Sequence, residues 1–328
     1  MPNPSQWAAA RARQLLQRTV RDHLRELGYQ EVETPLLVPA PGMEPHIRAF
    51  EVPFVPETGM GRARTLYLHT SPEYAMKRLL ADGSGPIFQI CKVFRNGEVS
   101  PTHNPEFTLL ELYRPGADYR AIMDDLESTL AAVAGALDRP SPFGGRPYER
   151  VTVRDALLRE TGIDLREASD TARLAGAARV LGIRVGPGDG FDDVFFRLFL
   201  ERVEPHLGRD RPAFLIDYPA SMAALARLST TDPSVAERFE LYARGLELAN
   251  GFSELTDAAE QRQRLEEERA FRVARGRPAY PIDEQFLEAV GRMPPAGGVA
   301  VGLDRVLMLV LGAERIEDVL LFPAHGFL

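Results

Sequence analysis

The sequence predicts an α+β fold in which an antiparallel sheet is flanked by helices. Residues 86–95 and 106–114 are rich in aromatic and β-branched side chains, which favour strands, and a polar loop with turn-forming residues joins them. A second pair of strand-like segments, FELYA and LELAN, meets at a turn within residues 239–250. Apolar residues recur at helical spacing in residues 5–27 and 118–137.

Composition places the chain among ordinary globular proteins, with 328 residues, 45% of them apolar and 26% charged. One cysteine, Cys91, excludes an internal disulfide framework and favours a reducing compartment. No stretch reaches the ~20 apolar residues of a membrane span, and the N-terminus lacks the apolar core of a signal peptide. We therefore expect a cytoplasmic protein without membrane contact. The net charge of −8 argues against a large nucleic-acid surface.

The first third of the chain predicts a helix, a short strand and a long loop. The apolar stripe of the helix comprises Leu15, Leu16, Val20, Leu24 and Leu27. Gly28 ends this helix, and YQEVETPLL after it predicts a strand that Pro35 terminates. Residues 39–65 contain five prolines together with Gly59 and Gly61, which indicates a loop with one short strand. A strand, a turn at Ser71-Pro72 and a helix with Glu73 in its first turn follow.

The second half alternates helical and strand patterns. A break at residues 138–147 is followed by short helical patterns between Gly and Pro turns, so residues 139–210 predict a small helical insertion in one domain that spans residues 1–328. Strand character returns at residues 211–226. A charged helix at 257–275 precedes the strand GGVAVGL, which carries little side-chain bulk, so another group can approach its backbone. The last predicted helix begins near Asp304 and places Arg305 at its start, where an anion is favoured.

The central hairpin carries the chemistry. Strand alternation places Phe107, Leu109, Glu111 and Tyr113 on one face, and Arg95 ends the preceding strand with a planar fork that suits phosphate or carboxylate. An aromatic plate, a carboxylate, a phenol and an arginine beside a polar loop predict a nucleotide-binding hairpin.

Glu247 and Glu254 form a second candidate pair. In a regular strand they would lie on opposite faces, because their separation of seven is odd. An Asn250-Gly251 hairpin would pair them across a turn, and a bulge at Gly251 would instead return them to one face. In either arrangement the two carboxylates converge, which is costly unless a cation lies between them.

These segments together resemble the class II aminoacyl-tRNA synthetases, in the lysyl version. The hairpin FRN…HNPEFTLLELY resembles motif 2, GYQEVETPLL resembles motif 1, and GVAVGLDRVLML resembles motif 3. TSPEYAMKRLL and GLELANGFSELTD are also similar to that family, and the resemblance extends from Arg11 to Phe322. It implies a class II catalytic domain, and motif 1 implies a homodimer.

The resemblance also implies a reaction, in which a carboxylate attacks the α-phosphate of ATP to form an acyl adenylate. Arg95 would then hold the α-phosphate, Arg305 the leaving phosphates, Phe107 the adenine, and Glu247 with Glu254 the Mg²⁺ of the nucleotide. The remaining residues implied for ATP are Asn96, Gly97, Glu98, His103, Asn104, Leu248 and Gly302. Those implied for a lysine-like substrate are Ser71, Pro72, Glu73, Glu111, Tyr113, Glu254 and Ala300.

The sequence departs from the family at Gly97. The family motif continues Arg-Asn-Glu, with the glutamate reading adenine, whereas here Gly97 precedes Glu98. Gly97 has no side chain for that task, and Glu98 on the flexible loop is the candidate substitute.

Two features distinguish the chain from the lysyl-tRNA synthetases, which carry an anticodon-binding domain before motif 1. Only one helix precedes motif 1 here, so we expect no such domain. Ala300 stands where those enzymes have glycine, and its methyl would crowd an α-amine and favour an amine on the β-carbon. Both features resemble the elongation factor P–lysine ligases, which attach (R)-β-lysine to a lysine ε-amine of that factor. This resemblance implies elongation factor P as partner, lysine or (R)-β-lysine as donor, and makes tRNA an unlikely partner.

Three rival functions stay open at the sequence level. They are a minimal lysyl-tRNA synthetase, an adenylating enzyme with a small-amine acceptor, and a regulator built on a decayed synthetase. The retained Arg95, Glu247, Glu254 and Arg305 argue against the last.

Overall fold

A computed structural model describes residues 2–57, 61–137 and 141–326. Its helices of seven residues or more are α1 (Pro4–Glu26), α2 (Glu73–Ala81), α3 (Tyr119–Leu137), α4 (Val153–Thr161), α5 (Thr171–Val180), α6 (Phe191–Arg202), α7 (Ala258–Ala274), α8 (Glu284–Val290) and α9 (Leu303–Leu311). Its strands are β1 (Gln30–Glu31), β2 (Leu37–Val38), β3 (Phe50–Phe54), β4 (Arg64–Leu68), β5 (Ile87–Phe94), β6 (Glu106–Pro115), β7 (Glu149–Thr152), β8 (Ala213–Pro219), β9 (Val235–Ala243), β10 (Leu246–Ser253) and β11 (Ala296–Gly302).

The fold is built on one eight-stranded sheet with the strand order β1-β5-β6-β11-β10-β9-β8-β7. The six central strands are antiparallel, whereas the edge strands β1 and β7 pair in parallel with β5 and β8. The α+β prediction and the central antiparallel pairing are therefore confirmed, and the two parallel edges are an addition. A separate three-stranded sheet, β2-β4-β3, lies before α2 in the chain.

The main core fills one face of the sheet. Leu110 and Leu112 of β6 and Val299 and Val301 of β11 point into it, and α1, α3 and α9 cover it. The alternate residues of both strands therefore face the opposite side. The predicted stripe of α1 is correct for Leu16, Val20 and Leu24, but Leu15 and Leu27 are 40% and 38% exposed, since only a narrow stripe faces α3.

The segment after α3 contains α4, α5 and α6, which pack around a second core with Leu215 and Tyr218 of β8 and Tyr242 of β9. Its strand β7 extends the main sheet at the β8 edge. The segment is therefore continuous with the main sheet where it is described.

Some predicted elements differ in extent. The strand predicted for YQEVETPLL divides into Gln30–Glu31 in the large sheet and Leu37–Val38 in the small one, because Thr34 and Pro35 between them leave the ladder. Residues 138–140 of the predicted break, and Gly59 of the predicted loop, lie outside the described residues. None of the described helices is both long and apolar enough to span a membrane.

Candidate active site

A cavity of about 260 Å³ opens on the face of the sheet opposite the main core. The predicted site residues that line it are Ser71, Glu73, Arg95, Glu98, His103, Asn104, Phe107, Glu111, Tyr113, Glu247, Leu248, Glu254, Ala300, Gly302 and Arg305. Pro72, Asn96 and Gly97 do not belong to this lining. Residues far apart in sequence thus share one chamber.

The floor of the cavity is made by β6 and β11, which pair directly. Glu111 lies opposite Ala300, and Tyr113 lies opposite Gly298. A Cβ atom on Gly298 would clash with the Tyr113 ring and lie 2.6 Å from Glu254 Oε1. The absence of a side chain at Gly298 therefore lets the phenol and the carboxylate share this end of the cavity. Ala300 lies between Gly298 and Gly302 on the same face of β11, and all three line the cavity.

Arg95 lies just beyond the end of β5, with its guanidinium 5.0 Å from the centre of the Phe107 ring. Among the described residues its one ion pair is with Glu98, at 3.9 Å between Nη1 and Oε2, so its charge is only weakly compensated by protein. The Arg95 Nε atom is buried and has no hydrogen-bond partner among the residues described. Gly97 adopts φ = 87°, a left-handed turn that carries Glu98 into the cavity wall.

Arg305 is held from three sides at the first turn of α9. Its Nη1 donates to the Glu247 carbonyl at 2.8 Å, its Nε donates to the Thr102 carbonyl at 3.4 Å, and its Nη2 lies 2.7 Å from His103 Nε2. The Glu247 carboxylate is farther away, at 3.9 Å. These partners fix the guanidinium without neutralising its charge, so it remains able to bind an anion.

His103 accepts a hydrogen bond from Arg305. Burial, together with Arg305 and Arg95, lowers the pKa of His103 to about 4, so its ring is neutral near pH 7. Because arginine can only donate, His103 Nε2 must accept, and the ring proton lies on Nδ1, 2.7 Å from Ser100 Oγ.

Asn104 also lines the cavity, but both ends of its amide are engaged. Its Nδ2 donates to the Glu106 carbonyl at 2.6 Å, and its Oδ1 accepts from the backbone N–H of Ala324 at 2.9 Å. Asn104 therefore ties the polar loop to the C-terminal segment, and the phosphate contact predicted for it stays a prediction.

The other end of the cavity is acidic. Glu111 accepts hydrogen bonds from Tyr113 Oη at 2.8 Å and from Ser71 Oγ at 2.9 Å. Lys77, whose side chain is fully buried, bridges Glu73 and Glu254 at 2.6 Å each. Lys77 was not among the site residues predicted from the sequence; its spacing of four from Glu73 on a helix was the available signal.

Burial dominates the electrostatics of this acidic end. It raises the pKa of Glu111 to about 8, with a further contribution from Glu73, and it raises the pKa of Glu254 to about 8 against the opposing effect of Lys77. Burial lowers the pKa of Lys77, but Glu254 and Glu73 outweigh it, so the net shift is upward and the lysine is charged.

Glu247 and Glu254 line the same cavity by a route that differs from both predicted geometries. Asn250 and Gly251 continue β10 rather than turning, and the bulge lies at Leu248, where the register shifts between Glu247 and Ala249. Gly251 cannot be replaced easily, since a Cβ atom there would lie 2.6 Å from the Gly298 carbonyl oxygen. The bulge adds one residue to the strand, so both carboxylates face the cavity, as the bulge hypothesis required. The bulge lies at Leu248 rather than at Gly251, where the sequence predicted it.

The two carboxylates differ in how well they could bind a nucleotide-bound Mg²⁺. Glu247 fits, because its carboxylate lies 3.9 Å from Arg305, the arginine implied for the leaving phosphates of ATP. Burial and Glu240 raise the pKa of Glu247 to about 7. Glu254 offers only Oε1, since Lys77 occupies Oε2. No group of three or more acidic, His or Cys ligands occurs among the described residues, so most ligands of such an ion would come from the nucleotide and water.

The chain is similar to known proteins along nearly its whole length. Residues 1–326 match the family described as tRNA synthetases class II (D, K and N). Three similar proteins carry the name Elongation factor P--(R)-beta-lysine ligase. That from Hamiltonella defensa subsp. Acyrthosiphon pisum (strain 5AT) is 43% identical over 308 residues, 93% of this chain and 92% of the relative. Those from Salmonella arizonae and Edwardsiella ictaluri are 44% identical over 305 and 306 residues, covering 92% and 93% of this chain and 91% of each relative.

Proposed function

We propose, on the premise that this chain belongs to the class II tRNA synthetases (D, K and N), that it activates (R)-β-lysine with ATP and transfers it to a lysine ε-amine of elongation factor P. The names of relatives that align with more than nine-tenths of the chain support the choice of donor and acceptor. The observation in the structure that carries the proposal is a single cavity with weakly compensated arginines at one end and clustered carboxylates at the other.

The donor fits this division of charge. A lysine isomer has one carboxylate, which must meet the α-phosphate of ATP, and two ammonium groups, each of which needs anionic acceptors. Glu111, with Ser71 and Tyr113, forms one acceptor group, and Glu73 with Glu254 forms another around Lys77. The Ala300 methyl between these groups and the phosphate end favours the β-isomer, because it reduces the space at the α-carbon.

The first step forms the adenylate. A donor carboxylate oxygen attacks the α-phosphorus, a new P–O bond forms, and the bond to the β-phosphate breaks to release pyrophosphate. Arg95, whose guanidinium lies over the Phe107 ring, stabilises charge on the α-phosphate, and Arg305 stabilises charge on the leaving phosphates. Mg²⁺, held by the nucleotide with Glu247 and Glu254, would supply further charge neutralisation. Positioning and electrostatics account for this chemistry.

The second step transfers the acyl group. The neutral ε-amine of the acceptor lysine attacks the acyl carbonyl, an amide bond forms, AMP leaves, and the amine releases a proton. The chain acts in this step by holding the adenylate with its carbonyl toward the cavity mouth.

The protein would act as a homodimer in the cytoplasm. Exposed apolar side chains on α1, in β2 and next to β2 support a partner surface in the region that corresponds to motif 1. They are Trp7, Leu15, Leu36 and Leu37.

An intact-mass assay tests the proposed function. The protein is mixed with ATP, Mg²⁺, (R)-β-lysine and elongation factor P, with bulk tRNA in a parallel reaction and an Arg305→Ala variant as the control. We expect one lysyl increment on the factor, none on tRNA and none with the variant. Charging of tRNA instead would establish a minimal synthetase, and adenylate formation with neither acceptor modified would overturn the assigned acceptor.

A further inference from the structure

Glu44 is a cavity carboxylate that none of the roles above uses. It lies in the loop between β2 and β3 and lines both the main cavity and a neighbouring one of about 20 Å³, which Ser71, Glu73 and Tyr74 also line. Its Oε2 atom is closed to solvent and has no hydrogen-bond partner within the described ranges. Gly42 permits this position, because a Cβ atom there would clash with the Glu44 carboxylate.

Arg272 contacts the backbone of this loop. Arg272 Nη1 donates to the carbonyls of Glu44 and Ile47, at 2.8 Å each, and its Nε donates to the Pro278 carbonyl at 3.0 Å. These bonds fix the main chain that carries Glu44 while leaving its Oε2 atom without a hydrogen-bond partner among the described residues. A buried acceptor held rigidly in this way is costly unless a ligand completes it.

The surroundings of Glu44 indicate which part of a ligand it would meet. Burial first, and then the charge of Glu73, raise the pKa of Glu44, whereas a hydrogen bond from its own backbone N–H, Arg95 and Arg272 lower it. Glu44 is therefore close enough to feel both Glu73 and Arg95. In the proposed function Arg95 binds the α-phosphate, which the donor carboxylate must meet, and Glu73 belongs to an acceptor group for a donor amine. A carboxylate near both residues would therefore meet the amine nearest the donor carboxylate.

Glu73 and Glu254 together do not satisfy that amine. An ammonium group has three N–H donors, and Lys77 already binds one carboxylate oxygen of each residue at 2.6 Å, which leaves two oxygens. A further carboxylate beside Glu73 would supply the third acceptor.

We propose that Glu44 binds the donor's amino group nearest its carboxylate, together with Glu73, and so selects amino acids that carry an amine at that end. This inference deepens the proposed function and rests on it. Glu44 is then a substrate-binding and specificity-determining residue, whereas Glu111 serves the distal ε-amine.

The test compares two ligands that differ in this amine alone. ATP–pyrophosphate exchange is measured with (R)-β-lysine as substrate and with 6-aminohexanoate, which keeps the ε-amine and the carboxylate, as competing inhibitor. Glu44→Gln should raise the KM for (R)-β-lysine by about 10- to 100-fold, the effect of losing a hydrogen bond to a charged group. The inhibition constant of 6-aminohexanoate should stay within about twofold of the wild-type value.

Glu268→Gln is the matched control. Glu268 is a nearby carboxylate whose pKa burial raises to about 8, with Glu44 and Glu73 adding to the effect, but it does not line the cavity. This variant should retain the difference between the two ligands.

The outcomes separate this inference from the proposed function. If the wild-type protein shows no exchange with any lysine isomer, both are wrong. If the wild type is active and Glu44→Gln weakens both ligands equally or neither of them, only the role of Glu44 is wrong. Should Glu44→Gln fail to fold, Glu44→Asp retains the charge but withdraws it by one methylene, and an unchanged preference in that variant would overturn the proposal.

Discussion

Charge is stabilised in different ways at the two ends of the cavity: the phosphate end, which contains Arg95 and Arg305, and the amine end, which contains Glu73, Glu254 and Lys77. At the phosphate end Arg305 rests on two backbone carbonyls and neutral His103, and Arg95 rests on an aromatic ring, so both arginines keep most of their charge. At the amine end Glu73 and Glu254 share fully buried Lys77. Clustered buried carboxylates repel one another and lose solvation, so they need an internal cation, whereas separated arginines beside an open loop do not.

Removal of Arg305 should have the largest effect on activity. Arg305→Ala is expected to lower kcat for ATP–pyrophosphate exchange by about 10²- to 10³-fold, the usual loss when one preorganised charge partner of a transition state is removed. Arg315→Ala is the control, because Arg315 does not line the cavity and its one ion pair within the described part of the chain is with Glu317. Equal kcat values in the two variants would show that the phosphate end has been placed wrongly.

Loss of the internal cation should affect stability first. Lys77→Met leaves Glu73 and Glu254 buried without their partner, so we expect a loss of about 3–5 kcal/mol in the free energy of unfolding. Denaturant unfolding measures this change. The other lysine of the chain, Lys92, is 44% exposed in its side chain, and Lys92→Met should cost much less.

A double variant distinguishes a counter-ion role of Lys77 from a packing role. Lys77→Met with Glu254→Gln removes the buried cation together with one of the two carboxyl groups that it bridges, so it should recover part of the stability that Lys77→Met loses. A double variant no more stable than the single one would mean that Lys77 acts through packing against Phe252 and Phe286 rather than as a counter-ion.

The amine end should also respond to pH. Glu111 has a pKa of about 8, raised first by burial and then by Glu73, so it is largely protonated at pH 6.5 and ionised at pH 9. Since the ionised form binds an ammonium group more strongly, the KM for the donor should fall as pH rises through 8. Glu111→Gln should flatten this profile. A KM that rises over the same interval would contradict the assignment.

The smallest predicted effect is on donor preference. Ala300→Gly removes one methyl from the floor opposite Glu111, which should improve the use of α-lysine relative to (R)-β-lysine by about tenfold or less, the scale of one methyl in a binding pocket. The ratio of kcat/KM for the two isomers measures it. An unchanged ratio would show that the methyl does not select the isomer.

Local periodicity explains why much of the site could be predicted from sequence. The period of two placed Phe107, Glu111 and Tyr113 on one face, and the helix start predicted for Arg305 was correct to within one residue, because both depend on neighbours in the chain. Lys77 and Glu44 were missed because their importance arises only when α2, β10 and the loop before β3 come together. The bulge at Leu248 was misplaced for a similar reason: Asn250 and Gly251 form a common turn sequence, but pairing with β9 and β11 on both sides holds them extended.

The most direct measurement of the two-ended cavity is ATP–pyrophosphate exchange with a panel of donors and no acceptor present. The donors are (R)-β-lysine, α-lysine, 6-aminohexanoate and norleucine, which lacks the ε-amine. We predict that exchange requires both amines, with (R)-β-lysine the best substrate and norleucine inactive. Exchange with norleucine at a rate comparable to (R)-β-lysine would show that the buried carboxylates do not select a diamino acid, and it would contradict the account.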